Sequence, residues 1–201
     1  MKKFIVGITG ASGSVYAQKL LTELAKGHHT IYLTITPPGL RVLAEEIGWH
    51  LSSDVQIAEK EIRRYIGLAP DDISLRYFDI TDVGALIASG SVPTDGMIVV
   101  PCTMATVSAI AHGTASDLLQ RAADVIIKER RKLLIVPRET PLSAIHLENM
   151  LRLAQLGVYI LPAMPAFYNK PKTLEDITAF MVGRILDYFE VSHELYQRWE
   201  G

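Results

Sequence analysis

Residues 3–13 read Lys-Phe-Ile-Val-Gly-Ile-Thr-Gly-Ala-Ser-Gly, an apolar run that breaks into glycines, and this stretch decides the fold. Lys3–Ile8 has the length and composition of a buried strand. Ser14–Lys26 follows with Val15, Leu20, Leu21 and Leu24 near helical spacing, and Gly27 stands where a helix ends. Thr30–Ile35 (TIYLTI) is β-branched and aromatic, which marks a second strand. A helix opened by Pro38 runs to about Ile47, before Gly48. The order strand, helix, strand, helix predicts an α/β fold, a parallel sheet flanked by helices.

The pattern continues outward from this start. Gly96–Val100 (GMIVV), Lys132–Val136 (KLLIV) and Val158–Leu161 read as further strands. Ala85–Ala88 reads as the end of a short helix, and Thr106–His112, Asp117–Glu129, Ser143–Leu156 and Leu174–Phe189 as longer ones. Ser53–Tyr65 is polar and helical, with Ser53 and Gln56 at capping-box spacing. The segment from about 51 to 75 finds no place in the core and is predicted to be a peripheral insertion. There is no repeat or linker, so residues 1–201 are predicted to form a single domain.

Composition narrows the function. The 201 residues are 49% hydrophobic and 21% charged, a globular balance that excludes disorder as the main state. A net charge of −2 does not suit binding to nucleic acid by bulk charge. One cysteine, Cys102, excludes an intrachain disulfide. No apolar run approaches a membrane span, and the run after Lys2-Lys3 stops at Ile8, too short for a signal peptide. It is read as the first strand of a cytoplasmic protein. The six histidines show no metal spacing, so no metal site is expected.

In parallel sheets ligands gather at the carboxyl ends of the strands. After the first strand stands Gly7-x-x-Gly10-x-x-Gly13, which is not the dinucleotide spacing. No acidic residue follows Thr34-Ile35-Thr36-Pro37, which also argues against NAD. What remains, with Ser12 at a helix start, is a cradle for a single phosphate or a flavin edge, or a turn that is tight for structural reasons. Pro101-Cys102-Thr103-Met104-Ala105-Thr106 gathers two hydroxyls at a strand-to-helix turn. It reads as a second phosphate site or as plain N-capping. Arg138 and Glu139 stand at the predicted active edge between Pro137 and Pro141. Arg121 and Lys128 share a helix face two turns apart, which is also what a solvated face looks like. Pro165-Ala166-Phe167-Tyr168 offers an aromatic wall, and Cys102 reads as a small buried thiol.

Taken together, these blocks resemble the flavin prenyltransferases of the UbiX type. The likeness rests on Gly7–Gly13, Ser89-Gly90-Ser91, Met97 through Thr106, Arg121–Val125 with Lys128–Arg131, Arg138–Leu142, Pro165–Tyr168 and Arg184. It covers most of the chain in order. Thr36 and Thr103 stand where serine is common, and each keeps a hydroxyl.

The resemblance implies a Rossmann-like flavoprotein fold and a homo-oligomer, commonly a dodecamer. It implies transfer of a dimethylallyl group from dimethylallyl phosphate to reduced FMN, giving the prenylated FMN used by UbiD-type decarboxylases. FMN would be held by Gly10, Ala11, Ser12, Thr36, Thr103, Met104, Ala105, Thr106 and Arg138. Arg121, Lys128, Tyr168 and Arg184 would converge on the allyl phosphate. Glu46 and Glu139 would be the acid–base pair, with Ser12 and Lys128 also in the catalytic set. The competing expectation is an FMN-dependent cysteine-type decarboxylase of the same fold, and the third is a non-enzymatic flavin carrier. The His base and Asn-rich clamp expected of the decarboxylase are not seen beside Pro101–Thr106.

Overall fold

The computed structural model describes residues 1–198. Six strands, β1 (Lys3–Ile8), β2 (Thr30–Ile35), β3 (Leu75–Phe78), β4 (Gly96–Cys102), β5 (Leu133–Pro137) and β6 (Tyr159–Ile160), form one sheet in the order β3-β2-β1-β4-β5-β6. All neighbouring strands pair in parallel. The strand order reverses direction between β1 and β4, where the two chain-adjacent turns of a doubly wound sheet leave a crevice.

Seven helices cover the two faces: α1 (Ser14–Lys26), α2 (Pro37–Ile47), α3 (Val55–Tyr65), α4 (Met104–His112), α5 (Leu118–Lys128), α6 (Ala144–Gln155) and α7 (Leu174–Tyr188). Side chains alternate across a strand, so β1 feeds two cores. Phe4, Val6 and Ile8 pack with Leu20, Leu21 and Leu24 of α1 and Val182, Ile185 and Leu186 of α7. Ile5 faces the other way, with Val107 and Ile110 of α4, Leu118 and Leu119 of α5 and Leu153 of α6.

The stretch expected at the periphery is part of this core. Ile62 and Ile66, one helical turn apart, and Leu75 are buried in the α1/α7 layer beside Trp49. Leu75–Phe78 is the edge strand, paired with β2 from Ile31↔Leu75 to Thr34↔Phe78. The expected Ser53–Gln56 capping box is not formed. Asp54 occupies the N-cap, and its carboxylate accepts from the N–H groups of Gln56 (2.9 Å) and Ile57 (3.0 Å). An ionised oxygen reaching two orphan donors is the stronger cap.

α5 runs against the strands, which matters for the site. At its start the Leu118 N–H donates to the Ile80 carbonyl (2.9 Å), just past the carboxyl end of β3. Beyond its end, Arg131 donates to the carbonyls of Gly90 and Val92 (2.6 Å each), ahead of β4. No helix among the described residues is long and apolar enough to cross a membrane.

Candidate functional site

Three turns meet at the carboxyl ends of β1, β4 and β5. Thr9, 1% exposed, ties the first two. Its hydroxyl donates to the Pro101 carbonyl (2.8 Å) and accepts from the Thr103 N–H (2.8 Å). Arg138 ties the third: its N–H donates to the Cys102 carbonyl (3.3 Å), and its Nε–H to the Ser12 carbonyl (3.3 Å). The sequence reading missed Thr9. Its one signal is a hydroxyl on the last residue before the glycine turn.

The turn after β1 packs tightly against α2. A Cβ on Gly10 would stand 2.4 Å from the Pro38 Cβ, and Gly13 has a φ of 117°. Both positions therefore need glycine. Thr36 caps α2, its Oγ1 accepting from the Gly39 N–H (3.2 Å). At the far end of α2, Glu46 turns back to α1. Its carboxylate accepts from the N–H groups of Gly13 (3.0 Å) and Ser14 (2.8 Å), and from the Ser12 hydroxyl. Burial alone raises the Glu46 pKa, but these donors outweigh it and hold the carboxyl below the usual range. This corrects the phosphate reading of the first turn: the amides at the start of α1 already serve the protein's own anion, which repels a phosphate there.

The second turn retains the donors that an anion site needs. Thr103 is the N-cap of α4, and its Oγ1 accepts from the Thr106 N–H (3.2 Å) and lies 2.9 Å from Thr106 Oγ1. The capping reading is therefore correct, and it does not displace the other. One cap serves one donor, and the N–H groups of Met104 and Ala105, first in the helix, have no intrahelical acceptor. Amides at a helix start beside two hydroxyls are a ready phosphate cradle.

Beyond Arg138 lies a cleft of about 290 Å³ whose wall includes Glu139, Leu142, Met150 and Met164. Glu139 is exposed there, its carboxylate accepting from the Thr140 N–H (2.9 Å). Ser12, Glu46, Arg138 and the Thr103–Thr106 turn are thus brought together. Cys102 is fully buried, and burial pushes its thiol pKa up, which leaves it unreactive.

The four expected phosphate partners lie on separate parts of the chain, α5, the loop after β6 and α7. Tyr168 and Arg184 form one group: Tyr168 meets Phe180 edge to face (5.9 Å), Phe180 lies 5.0 Å from Tyr196, and the nearby Tyr196 phenol raises the Arg184 pKa. That phenol in turn donates to Asp187, which also accepts from Arg198 (2.6 Å). Arg121 pairs with Asp124 (3.1 Å) on α5. Lys128 stands at the other end of α5, 3.6 Å from Glu129 and toward the amino ends of the strands, away from the three turns. Seven residues of helix carry it about 10 Å from Arg121, so a shared helix face does not make a shared ligand.

The open parallel sheet, the hydroxyl-lined start of α4 and the Arg138 joint define a flavoprotein, and the chain matches the Flavoprotein family over residues 1–186. It belongs to that family, and within it to the flavin prenyltransferases. It is 46% identical to flavin prenyltransferase UbiX of Alkalihalophilus pseudofirmus over 198 residues, 98% of this chain and 96% of that one. Among solved structures it is similar to AnUbiX (PadA1) in complex with FMN and dimethylallyl pyrophosphate. That chain is 38% identical with a TM-score of 0.88, covering 100% of this chain and 98% of the other. It is also similar to a dodecameric FMN-dependent UbiX-like decarboxylase from Escherichia coli O157:H7. Here identity is 41%, the TM-score 0.86, and coverage 99% and 100%.

Proposed function

We propose that the protein transfers a dimethylallyl group from an allylic phosphate to reduced FMN, in the cytoplasm, as a homo-oligomer built as a dodecamer. The product, prenylated FMN, is passed to a UbiD-type decarboxylase. The observation that carries this reading is the Arg138–Ser12 joint, which sets the phosphate-binding start of α4 beside an apolar cleft with a carboxylate on its wall. Reduced FMN is the acceptor: its N5 takes the allylic carbon, and closure at its C6 releases a proton. Its phosphate fits the N–H groups of Met104 and Ala105 and the hydroxyls of Thr103 and Thr106. Gly10, Ala11, Ser12, Thr36 and Arg138 line the approach.

The residues then divide the work. The apolar cleft excludes water from a developing allyl cation. Glu139, on its wall, is placed to accept the proton. Glu46, whose carboxyl is held below the usual range by its hydrogen bonds at the start of α1, completes the acid–base pair with Glu139. Tyr168 and Arg184 stabilise charge growing on the departing phosphate. Arg121 and Lys128 join them from a neighbouring copy, which is why a single chain leaves Lys128 toward the amino ends of the strands. Exposed Leu147 and Leu151 on α6, with Met164 and Phe167, supply apolar surface for that assembly.

Anaerobic incubation with reduced FMN and dimethylallyl phosphate, followed by mass spectrometry of the flavin, tests the reading. A flavin heavier by one isoprenyl unit is expected. An unchanged flavin, with carbon dioxide released from a cysteine-ended peptide, would replace it with the decarboxylase reading.

A further inference from the structure

α7 carries a glycine in its interior, and the segment that follows the helix fills the space this leaves. Gly183 stands inside Leu174–Tyr188, where glycine is among the poorest helix formers. A Cβ there would lie 2.6 Å from the Tyr196 ring and 2.9 Å from Cε1 of His193. Any larger residue would push Tyr196 away, so the helix gives up propensity to let the ring lie against its backbone. Phe180, Gly183 and Asp187 recur at three and four residues and share one face of α7. The Tyr196 ring covers that face 5.0 Å from the Phe180 ring, and Phe180 meets Tyr168 edge to face at 5.9 Å.

Asp187 holds the ring there. Its carboxylate accepts from the Tyr196 phenol, from Arg198 (2.6 Å) and from His193 Nε2 (3.1 Å). His193 Nδ1 accepts from the Leu195 N–H (3.2 Å), which puts the ring proton of the neutral imidazole on Nε2 and makes the Asp187 bond a donation. The His193 side chain is 3% exposed, so the joint is largely dry. These partners are all donors, and an ionised carboxylate is acceptor only, a match that an amide cannot reproduce. Burial alone raises the Asp187 pKa, but the donors outweigh it and hold the carboxyl below the usual range. One turn back along α7, next to Gly183, stands Arg184, whose pKa the nearby Tyr196 phenol raises.

We propose that Asp187 is a positioning residue for prenyl transfer: through Tyr196, seated against Gly183, it fixes Arg184 for the departing phosphate. The inference rests on the prenyl-transfer reading above. In this role Asp187 touches neither flavin nor donor and exchanges no proton with them. As the allylic C–O bond breaks, its electron pair goes to oxygen and charge grows on the phosphate. A guanidinium already held in place stabilises that charge without reorganising at the moment of reaction. A misplacement of about 1 Å by a change remote from the chemistry can slow a reaction on the order of a hundredfold. Loss of Asp187 should therefore appear in kcat and leave flavin binding alone.

The test uses the full chain with reduced FMN and dimethylallyl phosphate, well below the melting temperature of each variant. Asp187→Asn should lower kcat about 10- to 100-fold, while KM for the donor and Kd for FMN change less than about threefold. In an Arg184→Ala background the same substitution should lower kcat less than about twofold further, because a residue acting through Arg184 then has nothing to position. Gly183→Ala, which favours the helix itself, should reproduce the kcat loss by displacing Tyr196, and it carries the test if Asp187→Asn does not fold. An unchanged kcat, a loss confined to KM, or an equal loss with and without Arg184 would each overturn the positioning role and leave prenyl transfer standing. A wild type that leaves the flavin unprenylated would overturn prenyl transfer and this role with it.

Discussion

The carboxylate of Glu46 accepts a 2.8 Å hydrogen bond from the N–H of Ser14, so the end of α2 supplies the anion that the start of α1 requires. α1 has no side-chain cap of its own and no acidic residue in its first turn. A capping interaction usually made within one helix is here made between two, and it fixes the hydroxyl of Ser12 in passing.

Glu46→Gln keeps the shape and removes the charge. Stability at neutral pH should drop by about 0.5–1 kcal/mol, a helix-terminus charge effect discounted for solvent exposure. The sign of the pH dependence follows from a folded pKa below the ordinary 4.5. The contribution is present in full above the ordinary value and is lost as pH falls through the folded one. Urea melts of both proteins should therefore differ at pH 7 and converge in acid. A gap of the same size at both ends would refute this account.

Thr9→Val should destabilise by about 2–4 kcal/mol, because it leaves the Pro101 carbonyl and the Thr103 N–H without a partner in a buried joint. Flavin affinity should weaken as the α4 turn loosens, and Thr9→Ser should restore both. Thermal melts and a flavin-fluorescence titration check it, and an unchanged melting point would show that another group satisfies both partners.

Glu139→Gln should slow prenyl transfer by about 10²–10⁴. Among the described residues its carboxylate bonds the adjacent Thr140 N–H and no distant element, so FMN binding and folding should hold. Single-turnover rates equal to wild type would remove Glu139 from the chemistry.

Lys128→Ala and Arg138→Ala should each cost about 10²–10³ in turnover as homogeneous proteins. If Lys128 serves a site in a neighbouring copy, mixed oligomers of the two variants should regain activity, since some sites then draw both intact residues. Mixing after mild dissociation and reassembly measures this. Recovery of nothing, with both variants folded and assembled, would place Lys128 outside the pocket.

Cys102 should resist alkylation in the folded protein and react only on unfolding, since burial raises its pKa and hides its Sγ. Rapid native labelling would contradict the packing of β4 against α4.

The sheet was legible because its strands are short apolar runs ended by turn residues. β1, β2 and α1 fall on Lys3–Ile8, Thr30–Ile35 and Ser14–Lys26, as their patterns predict. β3 was not legible, because Leu75-Arg-Tyr-Phe is an edge strand of four residues with Arg76 exposed, and its apolar content is too small to show. α3 was placed but mislaid, since its buried stripe of Ala58 and Ile62 is diluted by Glu59, Lys60 and Glu61. The site was readable as hydroxyls and charges near strand ends. Its joints were not: Thr9 to Thr103 and Arg138 to Ser12 depend on register between strands far apart in the chain. The position of Lys128 also needed the direction of α5, which spacing along one helix does not give.

The Arg138–Ser12 contact spans 126 positions and the Thr9–Thr103 contact 94. During synthesis, then, the first glycine turn emerges long before the residues that complete it. A nascent chain truncated before Arg138 has β1, α1 and even the α4 turn, yet lacks the third wall. The three-turn site is therefore complete only once Arg138 has emerged, late in synthesis.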